Sequence, residues 1–361
     1  SILALPALLP AVELKLADGS RQAVLIEGYD GKGNLDVYLS SGERKQFPLK
    51  DVAAIYYSGR VDHFIRNGDQ RFLFNAGGQI AAAVEKLENG EVMAINSRSV
   101  GRHQIPVKYL HGFTALSVQG RAARMAEDMV SEVDKSPKSL FLDHLMDRRG
   151  VPYAGVLQAF TPKELSMEQD ELLQNLNIST FKVAGVRLAE ADKEKQESAE
   201  FKDILQVGVR CRDASYVVGE LASADPFQWV VKPNWDAKRS IEIPTNEISK
   251  VDIFGGKTIF LTQLTPIKVD EKTVVAPPQP YRRNTNAQGE GMNIGGFIYH
   301  NGIGVHASSK LTYSLGGRFA SFRVDVGIDG RLEKEGSVIF SVLGDGKELK
   351  KTGVVKGKVE G

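Results

Sequence analysis

The stretch FPLKDVAAI, residues 47–55, returns three more times within the first 255 residues of the chain. It reappears as IPVKYLHGF (105–113), ISTFKVAGV (178–186) and IPTNEISKV (243–251). The first, sixth and ninth positions are apolar every time: Phe47, Val52, Ile55; Ile105, Leu110, Phe113; Ile178, Val183, Val186; Ile243, Ile248, Val251. Three of the four copies put proline second, at Pro48, Pro106 and Pro244. Proline fixes φ and offers no N–H, so it ends one strand and opens a tight turn. Apolar positions three apart then suit one 3-10-like turn that drops the chain into a final strand. That is the corner at which a small β-barrel closes.

Ahead of each corner lie alternating segments broken by Gly, Asn and Asp. In the first copy, ADGS (17–20) reads as a hairpin turn and LDVYL (35–39) alternates in period two. The fourth copy repeats the plan in VGVRCRDASYVVGELASADPFQWVVK (207–232), while the second and third are more degenerate. The reading is mainly β: tandem small SH3-like or Sm-like barrels at 1–59, 60–118, 150–200 and 201–256, and a last domain at 257–361. The first unit includes an apolar N-terminal segment, and the third ends in a charged linker, AEADKEKQESAEFKD (189–203). A short helical spacer is expected at 119–149, where Ala122, Met125, Met129 and Val133 recur at helical spacing before the apolar group Leu140, Phe141, Leu142 and Leu145. A methionine stripe of this kind packs against a neighbour rather than holding a cofactor.

Composition excludes some functions. The 361 residues carry 46 basic and 45 acidic side chains, a net charge of +1, so no general attraction to nucleic acid or anionic membrane is expected. No run approaches the ~18 to 20 apolar residues of a membrane helix. The lone Cys211 has no disulfide partner in the chain, and no Cys/His cluster has zinc spacing. The opening SILALPALLPAV (1–12) has two readings: the tail of a secretory signal, or an N-terminal strand covering apolar surface.

The final hundred residues change texture. In order come Phe260, Leu261, Leu264 and Pro266, the Pro-rich APPQPYRRNTNAQGEG (276–291), then IGGFIYHNGIGVHASSKLTYSLGG (294–317), FRVDVGIDG (322–330), GSVIFSVLGDGKEL (336–349) and TGVV (352–355). FASFRVDVGI (319–328) and GSVIFSVL (336–343) alternate as half-buried strands, and GDGK (344–347) supplies a tight hairpin. Together they ask for two packed antiparallel sheets.

This ordered set of motifs resembles the NPCBM carbohydrate-binding module, which is often attached to glycoside hydrolases and is common in multi-domain surface proteins of planctomycete-type bacteria. The resemblance implies a jelly-roll, galactose-binding-like β-sandwich. It departs from the family where Tyr281 and Arg282 stand in place of a tryptophan-containing stretch, and where KTGVVKGKVEG (351–361) stands before the family's usual closing strands. A fragment, or an uncovered sheet edge that takes a strand from a protein partner or from another copy, is expected on that ground.

Sugar recognition needs an aromatic face and planar hydrogen-bonding groups. Tyr281, Arg282, Arg283, Asn284, His300 and Asn301 supply these types close together, and they are the candidate glycan-binding residues. His306, in the family's GVHA signature, is expected to hydrogen-bond a neighbouring loop from a mostly buried position, a structural role like that of the corner prolines. Gly295, Gly296, Gly302, Gly304, Gly316 and Gly317 fit turns with positive φ rather than a phosphate cradle. Asp325 and Asp329 read as turn chemistry, with calcium as the possible ligand.

No nucleophile, base and carboxylate constellation stands out elsewhere. The expected function is therefore non-catalytic glycan binding at the cell surface, in the periplasm or outside the cell. A structural or assembly subunit of an envelope complex is the alternative, and an accessory part of a glycoside hydrolase is the third reading.

Overall fold

The structure, a computed structural model, describes residues 11–57, 68–88, 90–131, 141–169, 174–189, 205–272, 280–288, 292–294, 297–299, 301–330 and 336–356. Most of the N-terminal apolar segment, the charged linker at 190–204, Val133, Leu140, Gly295, Gly296 and His300 lie outside them. Two compact units divide the chain, Ser1–Ile259 and Phe260–Gly361.

In the first unit the same five-stranded plan is built four times. The first copy uses β1 (Val12–Leu16), β2 (Arg21–Tyr29), β3 (Asn34–Leu39), β4 (Arg44–Pro48) and β5 (Val52–Tyr57). The second uses β6 (Asp69–Phe74), β7 (Gln79–Glu88), β8 (Val92–Ser97), β9 (Gly101–Pro106) and β10 (Leu110–Ala115). β11 (Asp143–Asp147), β12 (Pro152–Phe160), β13 (Glu164–Gln169), β14 (Gln174–Ser179) and β15 (Val183–Arg187) form the third. β16 (Gln206–Cys211), β17 (Tyr216–Ala224), β18 (Gln228–Pro233), β19 (Ile241–Pro244) and β20 (Ile248–Phe254) form the fourth.

Each copy closes by pairing its first strand with its fifth, antiparallel, with a register shift at the residue facing the sixth signature position. Each second strand also carries a bulge, at Ile26/Gly28, Val84/Lys86, Leu157/Ala159 and Leu221/Ser223, which bends it around the barrel. The second and third copies, degenerate in sequence, close as fully as the others.

The corner works as the proline spacing requires. Pro48, Pro106 and Pro244, with Ser179 in the third copy, sit at φ between −56° and −60° ahead of a three-residue 3-10 turn. The first N–H of each turn donates to the loop after the second strand: Leu49 to Gly33, Val107 to Glu91, Thr180 to Lys163, Thr245 to Phe227. Its last carbonyl accepts from the residue after the first strand: Ala17 to Asp51, Asn75 to Tyr109, Arg148 to Lys182, Arg212 to Glu247. Both ends of the turn are thereby satisfied, as buried backbone requires. All twelve apolar signature residues are buried.

Copies join through their fifth strands. β5 pairs antiparallel with β20, and β10 with β15. On the second junction lies helix α1 (Gly120–Ser131), with Ala126 and Val130 buried and Ala122, Met125 and Met129 half-buried beside them. The stripe is thus centred one residue away from the methionines. Part of the segment expected as helical spacer is a strand, Asp143–Asp147, whose ladder partners are β12 and β15.

Copies two and four interlock at the turn after β16. Asp213, buried, accepts from Ser97 Oγ (3.1 Å) and the Ser99 N–H (3.0 Å), while Ser215 Oγ accepts from the Ala81 N–H (2.9 Å). Trp235 stacks on Phe74 with ring centroids 4.5 Å apart. The buried thiol of Cys211 is raised by burial, as an apolar filler should be.

The second unit is also β, in short antiparallel pairs. β21 (Lys268–Glu271) pairs with β26 (Ser309–Thr312), β22 (Arg282–Arg283) with β25 (Ile303–Gly304) and β23 (Met292–Ile294) with β24 (Phe297–Tyr299). Farther on, β27 (Ser337–Val338) pairs with β30 (Val355–Lys356), and β28 (Ser341–Gly344) with β29 (Lys347–Lys351). The GDGK hairpin forms, with Asp345 and Gly346 both at positive φ. FASFRVDVGI does not form the expected strand: residues 319–328 have no ladder, and Phe322 and Val324 are exposed. Alternation creates an apolar face, but a strand also needs a partner for its N–H and C=O groups.

Candidate functional site

One short ladder runs the described candidates Tyr281–Asn284 beside Asn301. Arg282 lies opposite Gly304 and Arg283 opposite Ile303, so Tyr281–Asn284 runs antiparallel to Asn301–Gly304. The Asn284 N–H donates to the Gly302 carbonyl at 2.7 Å, and Asn284 takes φ of 60°, a conformation asparagine tolerates. Close approach is possible because residue 304 is glycine: a Cβ there would meet the Asn286 carbonyl carbon at 2.3 Å. Gly302 likewise makes room for Met292. These two glycines serve close packing, whereas Gly316 and Gly317 do adopt positive φ as expected.

The second ladder supplies more of the rim. Ile267 donates its N–H to the Thr312 carbonyl, which sets Thr265 and Tyr313 at the same end of the β21–β26 pair. Arg283 reaches across, with Nη2 at 3.4 Å from Thr265 Oγ1 and 3.5 Å from Tyr281 Oη. The Tyr313 hydroxyl is buried without a hydrogen-bond partner. Burial raises its pKa, and the neighbouring Tyr281 adds to that rise while Arg283 opposes it. Tyr313 and Thr265 were missed by sequence reasoning, since neither stands near 281–284 along the chain.

The other candidates are placed as follows. His306 is half-buried, and its Nε2 is enclosed without a hydrogen-bond partner, so the loop contact expected of it is not made through that atom. Asp325 hydrogen-bonds the Tyr299 phenol, whose pKa is raised by burial and then by that carboxylate. Asp329 Oδ2 accepts from the Asn293 N–H at 3.2 Å. Among the described residues no three His, Cys, Asp or Glu side chains gather as a metal site.

A cavity of about 170 Å³ lies elsewhere, in the first unit, lined by Tyr29, Leu49, Leu205, Glu220, Leu221 and Lys232. Lys232 Nζ stands 3.5 Å from Glu220, so its main polar groups satisfy each other.

Residues 257–360 match the NPCBM/NEW2 domain, a carbohydrate-binding module. Within the chain, 73 residues are 41% identical to a protein of Renibacterium salmoninarum that carries the name endo-alpha-N-acetylgalactosaminidase. The matched segment covers 20% of this chain and 5% of that relative. Among the described residues no helix is long and apolar enough to cross a membrane.

Proposed function

We propose that this chain is a non-catalytic glycan-binding protein of the cell surface, periplasm or extracellular space. It holds sugar at the rim formed by Tyr281–Asn284 and Asn301–Gly304, with His300 beside them in sequence. The observation that carries the reading is the coincidence of two things within 257–360: the NPCBM/NEW2 match, and a ladder that runs Tyr281–Asn284 beside Asn301–Gly304, with Arg283 Nη2 3.5 Å from Tyr281 Oη. An aromatic face takes the C–H groups of a sugar ring, and planar donors take its hydroxyls. The four barrels act as a scaffold for this module, and calcium near Asp325 and Asp329 remains part of the proposal. A glycan array probed with the full chain tests it. Binding that disappears in Tyr281→Ala supports the reading, and an array with no bound glycan refutes it.

Two observations favour further roles. The hydrolase name of the Renibacterium relative favours service as an accessory module beside a glycoside hydrolase. Exposed apolar side chains of the second unit, among them Phe322, Val324, Leu343 and Leu349, favour assembly, in which a neighbouring protein strand or a second copy covers the sheet. Native mass measurement of the full chain separates assembly from a monomeric binder.

A further inference from the structure

We infer that the rim holds an anion subsite, formed by Arg283, Tyr281, Thr265 and Tyr313, which selects glycans with an acidic sugar; this rests on the glycan-binding reading above. Thr265 Oγ1 and Tyr281 Oη both stand as acceptors toward Arg283 Nη2. A hydroxyl that accepts from a cation is polarised to donate its own proton outward. Both contacts, at 3.4 and 3.5 Å, are at the long end of the hydrogen-bonding range, so the guanidinium keeps donor capacity to spare. Among the described residues no carboxylate reaches Arg283.

Tyr313 adds a fourth donor. Its buried hydroxyl has no partner, and it lies close enough to Tyr281 and Arg283 to feel both electrostatically. A buried polar group left without a partner calls for a ligand or a water. Four donors with a net positive charge and no anionic acceptor fit the oxygens of a carboxylate or a sulfate ester. A neutral sugar hydroxyl uses such a set poorly, because it brings a proton of its own.

The test compares two oligosaccharides that differ at one carbon, a glucuronate-terminated chain and its glucose-terminated counterpart, titrated into the full 361-residue chain. The acidic one should bind about 10-fold or more tightly, with the preference shrinking at high salt. Arg283→Gln should abolish the preference. Tyr313→Phe should reduce it several-fold while leaving the melting temperature unchanged or higher, since the hydroxyl has no protein partner to lose. Equal affinity for the two chains, or a preference that survives Arg283→Gln, overturns the anion subsite and leaves glycan binding standing. Failure to bind any glycan overturns both. A Tyr313→Phe variant that melts earlier overturns the role given to its hydroxyl.

Discussion

Phe113 and Val186 face each other across the antiparallel pair of β10 and β15, and each is the ninth residue of its own repeat signature. Ile55 and Val251, also ninth residues, meet in the same way across β5 and β20. Pairing of equivalent strands about equivalent residues is the two-fold pattern of a symmetric dimer, built here within one chain. The copies nest, the second with the third and the first with the fourth. The two junctions differ at the eighth position. It is Gly112 and Gly185 at the inner junction, where α1 packs, and Ala54 and Lys250 at the outer one.

At the inner junction a side chain has nowhere to go. A Cβ on Gly112 would meet the Val186 carbonyl oxygen at 2.3 Å and Val130 Cγ1 at 3.0 Å. Gly112→Ala should therefore cost about 1 to 3 kcal/mol by overpacking. Urea unfolding of the single variant checks it. An unchanged midpoint would mean that the helix does not press on this junction.

Beside the outer junction, within the fourth copy, a charge cluster is buried. Asp252, fully buried, takes Arg210 Nε at 3.0 Å and Lys250 Nζ at 2.6 Å. Asp252→Ala removes the carboxylate from the buried Lys250 and the half-buried Arg210 and should cost about 3 to 5 kcal/mol. Adding Lys250→Met and Arg210→Met to an Asp252→Leu variant should recover most of that loss. If the triple variant is no better than Asp252→Ala, the ion cluster contributes more than mutual neutralisation.

Two buried phenols set an alkaline limit. Tyr57 is raised by burial, more than offsetting the Trp229 Nε1–H it accepts at 2.7 Å; Tyr216 is raised by burial and then by the Asp252 carboxylate. A folded pKa above the unfolded value of 10.0 means that the native state keeps a proton the unfolded chain gives up. Their contribution is fully present below pH 10 and falls as pH rises above it. Urea midpoints measured from pH 9 to 11 should drop, and Tyr216→Phe should make the drop shallower. A slope unaffected by Tyr216→Phe would locate the alkaline transition elsewhere.

For His306 the enclosed and unpartnered Nε2 changes the expectation that sequence alone supports. A side chain with no hydrogen bond from that atom loses little when replaced by an apolar one of similar size. His306→Leu should shift stability by less than about 1 kcal/mol in thermal melts, whereas breaking a buried hydrogen bond would cost about 1 to 3 kcal/mol.

The corners were legible in sequence because one turn must satisfy both its ends with residues at fixed spacing, and Phe47, Val52 and Ile55 and their equivalents report that spacing directly. Junctions were not legible, since a fifth strand reads the same whichever edge it joins. Asp143–Asp147 reads as part of a helical spacer in sequence because a short apolar run carries no reliable period. Of the site, Tyr281–Asn284 was visible as a cluster of residue types. Thr265 and Tyr313 reach it only through the long-range register of β21 and β26, which leaves no local trace.

On the proposed reading, glycan is held at the rim around Arg283 and Tyr281. Isothermal titration of the full chain with the best ligand from a glycan array, in parallel with Tyr281→Ala, tests it most directly. Saturable binding by the wild-type chain is expected, with a loss of about 10-fold or more in the variant and an unchanged melting temperature. Undiminished binding by a folded Tyr281→Ala chain would contradict it.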